Sequence, residues 1–160
     1  MDMLVKLYAL PSRDKYAEEL DDAGLNVRRA RSYEKRHVLT WIEENFSKGW
    51  ADECSVAFSR LPLSCYIGTY KGEVVAFGAY DATYKNFVGP LGVEPKFRGR
   101  RLAEVLLIKI LHAMADEGAA YAILGGVDEA APLFTRSLGA MEIPESHPGI
   151  YVDRLANSDS

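Results

Sequence analysis

Between positions 91 and 103 the chain reads Leu91-Gly92-Val93-Glu94-Pro95-Lys96-Phe97-Arg98-Gly99-Arg100-Arg101-Leu102-Ala103, an apolar strand end, a short loop and an apolar helix start. Lys96, Arg98, Arg100 and Arg101 are four of the nineteen basic residues, gathered within six positions of a chain whose net charge is −4. The first amides of a helix have no intrahelical acceptor, and the helix dipole adds positive potential there, so such a start attracts anions. Guanidinium groups grip phosphate oxygens in bidentate fashion. A phosphate or pyrophosphate site is the natural reading. The alternative is a solvated basic helix start, which runs against the dipole's preference for acidic residues at that end.

Two other anion-binding chemistries are absent. No Gly-x-x-x-x-Gly-Lys-Ser/Thr loop occurs, and no Gly-x-Gly-x-x-Gly follows a strand, so nucleoside-triphosphate and nicotinamide-dinucleotide readings fall. No Gly-x-Ser-x-Gly is present and neither cysteine has an identifiable base, which argues against a hydrolase. His37, His112 and His147 share no ligand spacing, so no metal site is expected. Cys54 and Cys65 read as reduced thiols in a cytosolic protein, with a single bridge as the alternative.

The elements that must position the loop follow from periodicity. The 160 residues, 48% apolar and 26% charged, suit one globular domain. Met3–Ala9 predicts a strand, and Ser12 an N-cap for a helix over Arg13–Ala23 that stops at Gly24. Val27–Ala30 predicts a second strand, followed by helices over Tyr33–Phe46 and Trp50–Arg60. Cys65–Tyr70 and Val74–Tyr80 flank Lys71-Gly72-Glu73, a hairpin signal. Asn86–Val93 predicts a strand that Gly89-Pro90 must bulge or unpair, because proline cannot donate to a ladder. Leu102–Ala115 is a helix apolar over most of its circumference, Ala119–Val127 a strand buried on both faces, and Ala130–Leu138 a helix closed by Gly139. A final strand is expected over Ile150–Leu155 and a loose tail over residues 156–160. This order predicts a mixed α/β (α+β) fold, one sheet with helices on both faces.

At this point a family resemblance emerges. Gly92 to Leu107 resembles the acetyl-CoA-binding motif of the GNAT N-acetyltransferases, written V-x-P-x-x-R-G-x-G-x-G/A and followed by an apolar helix. Ala130 to Ala140 resembles the family's second cofactor motif, A-x-x-L-Y-x-K-x-G-F. The likeness runs from about Asn26 to Leu155, leaving residues 1–24 as an N-terminal strand–helix extension packed on a core domain of residues 25–155. Two positions depart from the motifs: Arg101 stands where the loop has its second glycine, and Phe134 where a tyrosine often protonates the departing thiolate.

The resemblance implies a mostly antiparallel sheet with one splayed parallel strand pair, Asn86–Val93 and Ala119–Val127, that admits the pantetheine arm. It implies coenzyme A contacts from Leu91, Gly92, Val93, Arg98, Gly99, Arg100, Arg101, Leu102, Ala103 and Phe134, with the Val93 amide on the thioester carbonyl. An amine of a small molecule would attack acetyl-CoA directly in a ternary complex. For the base, the strand before the loop carries no acid, which leaves Asp81 and Glu53; Tyr151 is the candidate proton donor. Each has a plain alternative: a turn-forming Asp, a solvated helical Glu, a structurally bonded Tyr. Trp41, Phe46 and Trp50 read first as core, although the loop joining their helices, Ser47-Lys48-Gly49, would line the family's acceptor pocket.

Phe134 and the missing strand acid also fit a second class, a coenzyme-binding sensor or interaction module without turnover. A nucleic-acid-binding domain is a remoter third, since the chain is acidic overall. No apolar run approaches the roughly 20 residues that span a bilayer, and the expected address is the cytoplasm. Pairing of two copies through Met3–Ala9 or Ile150–Leu155 is open.

Overall fold

A computed structural model describes residues 1–156. Seven strands form one sheet in the order β2-β3-β4-β5-β6-β1-β7. They are β1 (Met3–Lys6), β2 (Leu25–Arg29), β3 (Cys65–Tyr70), β4 (Glu73–Tyr80), β5 (Phe87–Val93), β6 (Tyr121–Leu124) and β7 (Met141–Glu142). Every neighbouring pair is antiparallel except β5 and β6. The helices are α1 (Ala17–Asp22), α2 (Lys35–Asn45), α3 (Lys48–Val56), α4 (Leu102–Asp116) and α5 (Ala131–Leu138).

Successive residues of a strand face opposite sides of a sheet, and β4 shows which helix covers which side. Phe77 and Ala79 pack with Val38, Ile42, Ala51 and Cys54 from α2 and α3. Ala76 packs with Leu102, Val105 and Leu106, and Tyr80 with Ile110 and Leu111, all from α4. The α4 helix is apolar nearly all round because it lies along the sheet under further cover; even Glu104 is buried. The β3–β4 hairpin turns on Lys71 and Gly72, with φ of 50° and 79°, the two positive values a two-residue turn of this kind requires.

Several boundaries differ from expectation for local reasons. Ser12 accepts a bond from the Asp14 amide rather than capping a long helix, and α1 begins only after Tyr16, whose φ is 67°. Lys48 and Gly49 belong to the first turn of α3, because Ser47 caps that helix by accepting from the Trp50 amide at 3.0 Å. The strand expected over Ile150–Leu155 does not form: Gly149 and Asp153 take φ of 61° and 53°, and the last strand is Met141–Glu142 instead. Tyr151 therefore sits on an irregular segment. The tail expected over residues 156–160 falls, apart from Ala156, outside the described residues.

β1 is an interior strand of the sheet. It pairs with β6 over Met3–Lys6 and with β7 at Met3 and Leu4, and Met3 and Val5 are fully buried. Neither of the two segments expected to join copies edge to edge is a free edge strand; the edges of the sheet are β2 and β7. Cys54 and Cys65 are buried, unbridged thiols with sulfurs 3.7 Å apart, and contact with Cys54 together with burial pushes the Cys65 thiol well up. No helix among the described residues is long and apolar enough to cross a membrane.

Candidate functional site

The parallel pair is joined for only two positions, Phe87 opposite Ile123 and Val88 opposite Leu124. Gly89 and Pro90 then bulge: Val88 faces Tyr80 and Leu91 faces Gly78, so two residues of β5 stand against Ala79 alone. The bulge swings the rest of β5 away from β6, which ends at Leu124 and runs into Gly125-Gly126. The wedge left between them is a cleft of about 780 Å³. Ala103 and Leu107 of α4 line it from one face of the sheet, and Phe46, Trp50 and Glu53 from the α2–α3 face. It therefore passes through the sheet.

The Glu94 amide donates to Val75 of β4 at 2.8 Å. Amides alternate along a strand, so the Val93 N–H points to the opposite edge, where β6 has diverged. It faces the cleft. A second cavity of about 340 Å³, lined by Gly99, Arg101, Leu102 and Glu104, shares Val93, Arg98 and Ala103 with the first. This places the start of α4, with its free amides, beside the wedge.

The four basic residues of the loop have separate fates. Arg98 lines the cleft, with Nε 3.4 Å from the Val93 carbonyl. Lys96 pairs with Glu94 at 3.3 Å, and Arg100 lies exposed over the Phe97 ring, bordering neither cavity. Arg101 takes the left-handed conformation that a glycine would occupy, φ 68° and ψ 5°. Its guanidinium turns towards α1, 4.6 Å over the Tyr16 ring, and bonds Glu104 at 3.1 Å. The bulk that replaces glycine thus points away from the wedge.

Of the residues singled out by sequence, Leu91, Gly92, Val93, Arg98, Ala103 and Phe134 line the main cleft, and Gly99, Arg101 and Leu102 the adjoining cavity. Glu53 and Tyr151 also line the cleft. Asp81 does not. Its carboxylate is taken by Arg60 and Lys85, each at 3.0 Å, and by the Asn86 amide at 2.6 Å, around a separate small cavity. Its bond to the Asn86 amide is a turn contact.

Thr83, absent from the sequence reading, donates its hydroxyl to Glu53 Oε1 at 2.6 Å from the turn between β4 and β5. Trp50 and Phe46, read as core, line the cleft with their rings stacked 5.2 Å apart. Burial raises the Tyr151 hydroxyl above its ordinary value, and the nearby Glu53 and Asp2 carboxylates push it the same way, while Arg154 opposes them. It stays protonated at neutral pH.

Away from the cleft, the buried Tyr80 hydroxyl donates to Glu117 and accepts from Arg29 at 3.0 Å. Burial and Glu117 push it up to about 12. This network ties the end of β4 to the end of α4.

Residues 31–140 match the model of the acetyltransferase (GNAT) family. No curated protein matches the chain. Among solved structures, a GCN5-related glucosamine N-acetyltransferase region of a fungal multi-domain β-N-acetylglucosaminidase aligns with a TM-score of 0.69 at 13% identity, over 88% of this chain and 19% of that one. A GCN5-related N-acetyltransferase from Sphaerobacter thermophilus gives 0.61 at 21% identity, over 88% and 47%. A GNAT family acetyltransferase from Brucella melitensis, in complex with acetyl-CoA, gives 0.54 at 18% identity, over 68% and 80%. The chain spans less than half the length of the first two. At these identities the likeness is one of fold.

Proposed function

Because the chain belongs to the acetyltransferase (GNAT) family, we propose that it moves an acetyl group from acetyl-CoA to a primary amine of a small molecule, by direct attack within a ternary complex. The observation that carries this reading is the wedge itself, a cleft through the sheet with a strand amide, Val93, turned into it. Donor and acceptor can then enter from opposite faces and meet at the gap. Holding reacting atoms at about 3–3.5 Å in this way removes much of the entropic barrier.

The residues present fit the donor. Amides from Arg98 to Ala103 and the Arg98 guanidinium offer a diphosphate its hydrogen bonds, and the narrow apolar gap between β5 and β6 suits the pantetheine arm. The Val93 N–H stabilises negative charge building on the thioester oxygen, a contribution typically worth about 3 kcal/mol. Glu53 accepts the proton that the amine must lose, a role worth about 10²–10⁴-fold. The amine nitrogen bonds to the carbonyl carbon, the carbon–sulfur bond breaks, and the protonated Tyr151 hydroxyl returns a proton to the sulfur. Tyr151 thus takes the part that Phe134 has no hydroxyl to play.

Phe134 on the cleft wall favours one rival, a coenzyme-binding module without turnover. Incubation with acetyl-CoA, a thiol-detecting dye and a panel of amines separates the two. Thiol release that depends on the amine is the expected result; binding of coenzyme A with no release from any amine would overturn the proposal.

A further inference from the structure

The acceptor side of the cleft has an uneven chemistry. Phe46, Trp50 and Phe87 present rings to it, while its acid is the half-buried Glu53, with hydroxyls from Thr83 and Tyr151 beside it. The rings are held firmly. Phe46 stacks on Trp50 with their planes 28° apart, and both contact Phe77 in the core, at centroid separations of 5.7 and 6.0 Å. Backbone approach fixes Phe46 further, since its ring lies against Gly92.

Glu53 is held as well. Its Oε1 accepts the Thr83 hydroxyl, from an element 30 residues away in sequence. A serine or threonine hydroxyl bonded to one carboxylate oxygen restrains the rotamer and leaves the other oxygen open to a cation. Titratable groups bordering the same cleft are Tyr151 from the C-terminal segment, Asp128 and Glu129 from the loop after β6, and Arg98 from the loop before α4.

We infer that the acceptor is a primary amine carried on an apolar or aromatic body, its ammonium taken by Glu53, and that Thr83 is the positioning residue that aims this carboxylate. The inference rests on the transferase reading above and names its substrate class. A ring or short aliphatic body fills the slot beside Phe46 and Trp50, and its ammonium gains from the face of Trp50 as well as from the carboxylate. A polyhydroxylated amine would set those of its hydroxyls that lie along Phe46, Trp50 and Phe87 against ring faces, out of water, and such mismatches discriminate by about tenfold or more. Thr83 acts through Glu53: its donated bond fixes the rotamer of the carboxylate, so removing it lets the carboxylate swing away from the amine.

The test uses the full chain with saturating acetyl-CoA and compares phenethylamine with glucosamine. Phenethylamine is expected to exceed glucosamine by at least about tenfold in kcat/KM. Thr83→Val is expected to lower kcat by about tenfold while KM for acetyl-CoA stays within about twofold, and Thr83→Ser restores kcat to within about twofold of the parent. A merely structural threonine would leave kcat of Thr83→Val near the parent value, or change it together with KM for acetyl-CoA and without rescue by serine, and either result would overturn the assignment of Thr83.

Tryptophan fluorescence with phenethylamine and coenzyme A supplies a readout that needs no turnover, because Trp50 lines the slot. Binding that weakens in Glu53→Gln supports the acceptor class even if no acetyl group moves, in which case only the transferase reading fails. Turnover of glucosamine at or above the rate of phenethylamine overturns the acceptor class and leaves the transferase reading standing.

Discussion

The ring of Phe46 rests on the backbone of Gly92: a methyl group added to Gly92 would lie 2.5 Å from Phe46 Cζ and 2.8 Å from Cε1. The glycine is required here for closeness, since its φ is not positive. It lets an aromatic residue of the α2–α3 connection seal one face of β5 immediately before Val93, the strand amide that faces the wedge. Gly92→Ala is therefore expected to destabilise the fold by about 1–3 kcal/mol through overpacking and to suppress acetyl transfer. Urea unfolding measures the first effect. A second change, Phe46→Leu in the Gly92→Ala background, is expected to recover stability because the clash disappears.

Arg98 and Arg101 are separated by three positions and by opposite orientations. Arg98→Ala is expected to weaken coenzyme A binding by about tenfold, the scale of one charge-assisted hydrogen bond at a partly exposed site. Arg101→Gly is expected to leave that affinity within about twofold, because its guanidinium is engaged with Tyr16 and Glu104 and its left-handed backbone suits glycine. Calorimetric titration of each variant with coenzyme A distinguishes them. Equal losses would mean that Arg101 contacts the ligand.

Tyr151→Phe is expected to lower kcat by about a hundredfold or more while leaving the affinity for coenzyme A unchanged, the pattern of a group used only as the thiolate departs. Its raised pKa adds a pH signature: kcat of the parent falls only above the ordinary tyrosine range, as the hydroxyl ionises, and the variant lacks this limb. Phe134→Tyr in the Tyr151→Phe background adds a hydroxyl to another residue lining the cleft and is expected to regain part of the rate. Steady-state kinetics across pH tests all three statements.

Stability should fall in acid through one identifiable pair. Arg28 donates to both oxygens of Glu34, at 2.9 and 2.6 Å, and this holds the Glu34 carboxyl at about 2, below its ordinary 4.5. A carboxylate whose folded pKa is depressed stabilises the native state above the unfolded value and loses that contribution as pH drops through the folded one. The loss is expected between about pH 4.5 and 2 and to amount to about 1–2 kcal/mol, allowing for the partial exposure of the pair. Unfolding of Glu34→Gln followed over the same range should show a correspondingly flatter dependence.

Whatever depends on near neighbours in the chain was legible beforehand. The Lys71-Gly72 turn, the bulge at Gly89-Pro90, the apolar run of α4 and the basic loop before it each lie within a window of a few residues, where backbone sterics and hydrophobic period act directly. Those signals located the wedge and the loop beside it, and with them the family resemblance. Tertiary structure decided the pairings between distant segments. Asp81 has its carboxylate bonded by Arg60 and Lys85, and Glu53 has its partner in Thr83, with Arg60 and Thr83 brought in from distant segments by the fold. Ile150–Leu155 carries strand-forming residues, yet Met141–Glu142 takes the place beside β1, and the left-handed backbone at Gly149 and Asp153 keeps the later segment from extending. Charge partners, strand order and the direction of a side chain such as Arg101 depend on which surfaces meet after collapse, and local sequence does not encode that meeting.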